Sequence, residues 1–254
     1  MWPFDSLKRK RILRDALLAD ALWQQTRANH PILARLQPDE LARLRELTTL
    51  FMHEKLFEPV RGLALDDAMR AMIAVQACLP ILHLGLDWYD DWRTVVVYPG
   101  QFVRRRELFD NSGVMHEWRE VLGGESWERG PVILSWADVD ASGLGEGYNV
   151  VIHEMAHKLD MRNGDADGFP PLHRTMKPRA WTDAFTFAYQ DLSRRVDGHD
   201  FAPIDAYATE SPAEFFAVVS EYFFELPQLL ADTYPEVYRQ LAAFYRQDPL
   251  KSSA

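Results

Sequence analysis

The chain has 254 residues, 47% hydrophobic and 12% aromatic, which is enough to bury one substantial core. Its 28 Lys and Arg stand against 38 Asp and Glu, and a net charge of −10 argues against nonspecific binding to nucleic acid or to an anionic membrane. The single cysteine, Cys78, excludes an intramolecular disulfide and a cysteine-based zinc cluster, and no run of about eighteen apolar residues marks a membrane span.

Residues 1–14, with Lys8-Arg9-Lys10-Arg11, read as a flexible basic arm. The apolar stretch Leu17-Leu18-Ala19 is cut by Asp20, so no secretory leader is expected and the expected location is the cytoplasm. Residues 15–254 read as one domain, helical over 15–90 and catalytic over 91–254. In the first part, Pro38-Asp39-Glu40 opens a helix predicted over 38–57, with Leu41, Leu44, Leu47, Leu50 and Phe51 at helical intervals. A second helix is predicted over 66–84, closed or kinked by Pro80.

The pattern changes after Trp92. Thr94–Tyr98 and 131–136 read as β-strands, and the charged residues 103–130 between them read as a loop or hairpin. A strand close to a catalytic helix can hold an extended peptide by edge pairing, and 131–136 reads either as the site of such pairing or as an ordinary internal strand. Helices are further predicted over 179–196, 212–225 and 235–247, with turn-rich loops at 163–171 and 197–206. The elements give a mainly helical α+β chain with a small β-sheet.

The chemistry concentrates at Asn149–Asp160, which contains His153-Glu154-Met155-Ala156-His157, an H-E-x-x-H. On a helix, residues four apart share a face, so the two imidazoles can reach one metal ion. Zinc suits them, since imidazole is among its ordinary ligands. Glu154 lies beside the metal without binding it, where a carboxylate can take a proton from an activated water.

A catalytic zinc needs a third protein ligand. A His six residues after His157 would fall at Asn163, and no Glu occurs from 155 to 209, so the nearer layouts are excluded. Glu210, Glu214, Glu221, His173 and His199 stay open. Against Glu214 stands Ser211-Pro212-Ala213-Glu214, a capping box in which that carboxylate would serve only its own helix. Asp160, at the helix end, could orient a ligand imidazole.

The chain resembles the Mlc titration factor A family of bacterial zinc metallopeptidases. The resemblance rests on His153-Glu154-x-Ala156-His157-Lys158-Leu159-Asp160, Arg162-Asn163-Gly164-Asp165, Ile204-Asp205-Ala206-Tyr207-Ala208, Ser211-Pro212-Ala213-Glu214 and Ser220-Glu221-Tyr222-Phe223-Phe224. The catalytic half is also similar to the protease domain of anthrax lethal factor, through the H-E-x-x-H and the stretch from Tyr207 to Phe216. The resemblance implies a zincin-like fold and one Zn2+ held by His153, His157 and Glu214. It also implies Glu154 as the base and Tyr207 as a donor to the developing oxyanion. A peptide or protein is the implied substrate, with aminopeptidase-type cleavage. The repressor Mlc is an implied partner, which would give the chain a role in glucose-uptake gene expression. A non-catalytic protein that sequesters the repressor, with a structural zinc, is the alternative.

Overall fold

A computed structural model describes residues 3–109, 115–122, 124–126 and 130–251. Helix α1 (Pro3–Ala16) spans the residues read as a basic arm, and in it Arg9 grips Glu54 through two hydrogen bonds, at 2.7 and 3.0 Å, and also binds Asp87. A paired guanidinium on a helix face anchors what basic composition alone suggests is loose. Helix α2 (Asp20–Ala28) and a short 3-10 turn (Pro31–Arg35) lead to helix α3 (Pro38–Glu54). Its start follows the sequence signals: Pro38 sits in the first turn, and the Glu40 carboxylate returns to the Gln37 N–H at 2.9 Å.

Residues 56 and 57, expected within that helix, instead belong to strand β1 (Leu56–Pro59), which pairs in parallel with a later strand. A four-residue strand shows too few periods to be separated from a helix end by pattern alone. Helix α4 (Asp67–Cys78) is capped by Asp66; Leu79 keeps helical dihedrals, and Pro80, which has no N–H to continue the ladder, follows. Strand β2 (Thr94–Tyr98) is followed by an antiparallel hairpin, β3 (Phe102–Phe109) with β4 (Met115–Leu122), and then by β5 (Gly124–Ser126) and β6 (Val132–Ser135).

The main sheet has the order β1-β2-β6-β5, with β1, β2 and β6 parallel and β5 antiparallel. Register aligns Phe57 with Val95 and Val95 with Val132, while Val97 pairs with Leu134. Alternation therefore gathers these buried residues on one face. This arrangement removes the peptide-edge reading of 131–136 and leaves the internal strand. Strand β6 is paired on both sides, so it has no free edge; the edge beside the H-E-x-x-H helix belongs to β5.

A short helix α5 (Trp136–Asp140) and a loop precede helix α6 (Val150–Asp160), which carries the H-E-x-x-H. Helices α7 (Pro178–Asp197), α8 (Pro212–Glu225), α9 (Pro227–Thr233) and α10 (Pro235–Tyr245) follow. Trp181 of α7 stacks on Phe185 with centroids 4.1 Å apart and also meets Phe216 and Phe244, which ties α7, α8 and α10 together. Full burial of each such ring contributes about 1.5–3 kcal/mol. The mainly helical α+β fold with a small sheet is as the sequence predicts. Among the described residues, no helix is long and apolar enough to cross a membrane.

Candidate metal centre

Helix α6 starts where Asn149 caps it: its Oδ1 accepts the Ile152 N–H at 2.9 Å. Its Nδ2 donates to Glu225 Oε1 at 2.8 Å, and its backbone N–H donates to Glu221. Ten of the eleven helix residues are buried, so the motif is fixed inside the core. The 3-10 turn Met161–Asn163 and Gly164, at φ 150°, end it, as the sequence signals.

On the facing helix α8, Ser211 caps the first turn by accepting the Glu214 N–H at 3.1 Å. The carboxylate of Glu214 does not complete a capping box. Its Oε2 lies 3.0 Å from His153 Nε2 and 3.3 Å from His157 Nε2, and the two imidazole nitrogens are 3.2 Å apart. Four bonds of about 2.0–2.1 Å in a tetrahedral array place ligand atoms about 3.3 Å apart. The three atoms match one face of such an array, and they form a group able to hold a metal ion.

Glu221, two turns further along the same face of α8, accepts from His153 Nδ1 at 2.8 Å. With the Nδ1 proton engaged there, the Nε2 lone pair is directed at the centre. Two imidazole lone pairs and a carboxylate oxygen thus converge in a largely buried place, a donor set that calls for a cation. The electrostatics say the same. Burial opposes charge on His153, yet hydrogen bonds to Glu214 and Glu221 outweigh it and hold its pKa well above the ordinary value. Burial pushes the Glu214 carboxyl up, but the two imidazoles pull it well below the ordinary range.

Glu154 is 3% exposed on the same helix. Tyr207 stands on the 3-10 turn Ala206–Thr209, whose start is fixed by Asp205 Oδ1 accepting the Tyr207 N–H at 2.8 Å. Its ring lies 6.0 Å from that of His153, and the residue is 40% exposed. The remaining candidates lie apart. Glu210 is exposed, His199 bonds only locally to Val196, and His173 bonds to the Phe244 carbonyl.

Among the described residues, Asp160 makes no hydrogen bond to either imidazole: its Oδ2 accepts the Gly168 N–H at 2.7 Å, and His157 Nδ1 has no hydrogen-bond partner there. Burial pushes the Asp160 carboxyl up from 3.8 to about 6, against the hydrogen bonds from Gly168 and Asp167. Its folded pKa is thus raised, so its stabilising contribution is present below about pH 4 and is lost as pH rises through about 6, by on the order of 3 kcal/mol. Asp160→Asn is expected to flatten stability between those values. Denaturant unfolding of chelator-treated wild type and variant across the window checks this, and equal slopes would refute it.

One residue not singled out in the sequence, Glu225, completes the site. Glu225 accepts the Gly145 N–H at 2.6 Å as well as the Asn149 amide. The signal lay in the four-residue spacing of Glu221 and Glu225, two carboxylates on one face of an otherwise apolar helix. They grip the start of α6.

An H-E-x-x-H helix joined by a glutamate from a second helix defines a metallopeptidase-type centre. Residues 4–246 match the family described as glucose-regulated metallo-peptidase M90, and the chain belongs to that family. Among its relatives is Mlc titration factor A of Escherichia fergusonii, 43% identical over 222 residues, which cover 87% of this chain and 84% of that protein. The protein of the same name from Enterobacter sp. (strain 638) is 40% identical over 98% of this chain and 92% of its own length. That from Salmonella arizonae is 41% identical over 98% of this chain and 97% of its own. A metallopeptidase family implies a metal, and the three ligand atoms are compatible with one.

Proposed function

We propose that the chain is a zinc-dependent peptidase of aminopeptidase type, with His153, His157 and Glu214 as zinc ligands, Glu154 as general base and Tyr207 as oxyanion donor. The observation that carries this reading is the meeting of His153 Nε2, His157 Nε2 and Glu214 Oε2 within 3.3 Å of one another, with Glu221 behind His153.

Zinc, when bound, supplies Lewis acidity to the scissile carbonyl and makes water acidic enough to attack near neutral pH. The carboxylate of Glu154 takes the proton of the attacking water and passes it to the leaving amine. Glu221 keeps the His153 ring in place by accepting its Nδ1 proton. The Tyr207 hydroxyl donates to the carbonyl oxygen as that oxygen gains charge. The edge of β5 can pair with the extended substrate.

Hydrolysis of free-amine and N-acetylated peptides, by zinc-loaded wild type and Tyr207→Phe, tests this. The wild type is expected to cleave the free-amine peptides only. Tyr207→Phe is expected to bind zinc normally and to lose about 10²–10³-fold in kcat, the usual effect of removing one oxyanion donor. Equal cleavage of the acetylated peptides would overturn the aminopeptidase assignment, and an unchanged kcat would remove Tyr207 from the chemistry.

The name of the relatives points to an encounter with Mlc, and this chain is read as sharing it, in the cytoplasm. A repressor-sequestering role can coexist with catalysis. The buried carboxylate of Glu154 beside the ligands favours chemistry over a purely structural metal, which needs no base.

A further inference from the structure

Glu214 reaches the imidazoles of α6 only if α8 is held against that helix at both ends. One grip is made by Glu221 and Glu225. The other is made at Gly168, in the turn-rich loop between α6 and α7. The Gly168 N–H donates to Asp160, the last residue of α6, at 2.7 Å. Its carbonyl accepts the indole N–H of Trp181, from α7, at 3.0 Å. Its φ is +79°, and a β carbon there would lie 2.5 Å from the Pro212 carbonyl oxygen and 2.9 Å from the Pro212 carbonyl carbon. Pro212 is the first residue of α8, two before Glu214.

We propose that Gly168, held by Asp160 and Trp181, is a positioning residue that sets the distance of Glu214 from His153 and His157. This rests on the zinc-site reading above. The two Pro212 atoms that lie within 3.0 Å are backbone, so added bulk can be accommodated only by moving the chain. The first turn of α8 is internally tied, by Glu214 N–H to Ser211 Oγ and by Phe215 N–H to the Ser211 carbonyl, and so it shifts as a unit. Relieving the overlap needs about 0.5–1 Å, whereas metal–ligand distances tolerate about 0.2 Å.

Zinc affinity, read by competition with a chromogenic chelator, tests the proposal on variants shown to be folded by circular dichroism. The visible spectrum of the cobalt(II)-substituted protein reports ligand geometry in parallel. Gly168→Ala is expected to bind zinc about 10–100-fold more weakly, with an altered cobalt spectrum. Gly164→Ala is the control: φ there is also positive, at 150°, but no atom lies within 4 Å of an added β carbon, so wild-type affinity is expected. Trp181→Phe keeps an aromatic ring and loses the N–H, and is expected to weaken zinc at least about threefold. If Gly168→Ala does not fold, Trp181→Phe decides. Wild-type affinity and spectrum in the deciding variant would overturn the proposal. If Glu214→Ala also binds zinc as the wild type does, the ligand assignment itself fails.

Discussion

Glu154→Gln is expected to bind one zinc with wild-type affinity and to lose hydrolysis by about 10²–10⁴-fold, the usual contribution of a positioned general base. The amide is nearly the same size as the carboxylate, so the buried packing around position 154 persists. It cannot accept a proton, however, so neither activation of water nor protonation of the leaving amine has a carrier. Zinc should stay, because the ligand atoms that converge belong to His153, His157 and Glu214 and not to Glu154. Metal analysis together with peptide hydrolysis checks both halves. Full activity in the variant would remove Glu154 as the base. The same inert protein separates chemistry from partner binding: capture of the repressor by Glu154→Gln as by wild type would show that the regulatory encounter needs the surface and not the reaction, and loss of capture would tie the two together.

The second large effect is expected at the ligands. Glu214→Ala should lower zinc affinity by more than about 100-fold, since it removes one of three protein ligands and leaves two imidazole lone pairs 3.2 Å apart with less negative charge to gather a cation. Glu221→Gln should cost less, about 10–100-fold, because that residue acts through His153 rather than on the metal. The order of the two losses is the informative result. A larger loss in Glu221→Gln would move the third ligand from Glu214 to Glu221.

Much of this was legible in the residues. The apolar intervals and the Pro38-Asp39-Glu40 start marked the long helices, and the H-E-x-x-H placed two imidazoles on one helix face. The third ligand was not settled by spacing, because Ser211-Pro212-Ala213-Glu214 satisfies a capping rule equally well. Only the approach of α8 to α6 shows Ser211 capping the turn while the Glu214 carboxylate turns to His153 and His157. Short strands were the weakest part of the reading. Strands β1 and β5 span four and three residues, too short for an alternation to register, so the candidate peptide edge was placed on β6 rather than β5. Basic composition over residues 1–14 says nothing of a single arginine, Arg9, that finds Glu54 and Asp87 across the fold. The role of Asp160 depended likewise on a loop backbone, the Gly168 N–H, that no motif encodes.

The most direct test of the zinc site is anomalous diffraction at the zinc edge from crystals of the zinc-loaded protein. One peak is expected, about 2.0–2.2 Å from His153 Nε2, His157 Nε2 and a Glu214 carboxylate oxygen, with Glu221 beyond bonding distance. A peak bonded to Glu221 or His173 in place of Glu214, or no peak beside the two histidines, would contradict the assignment.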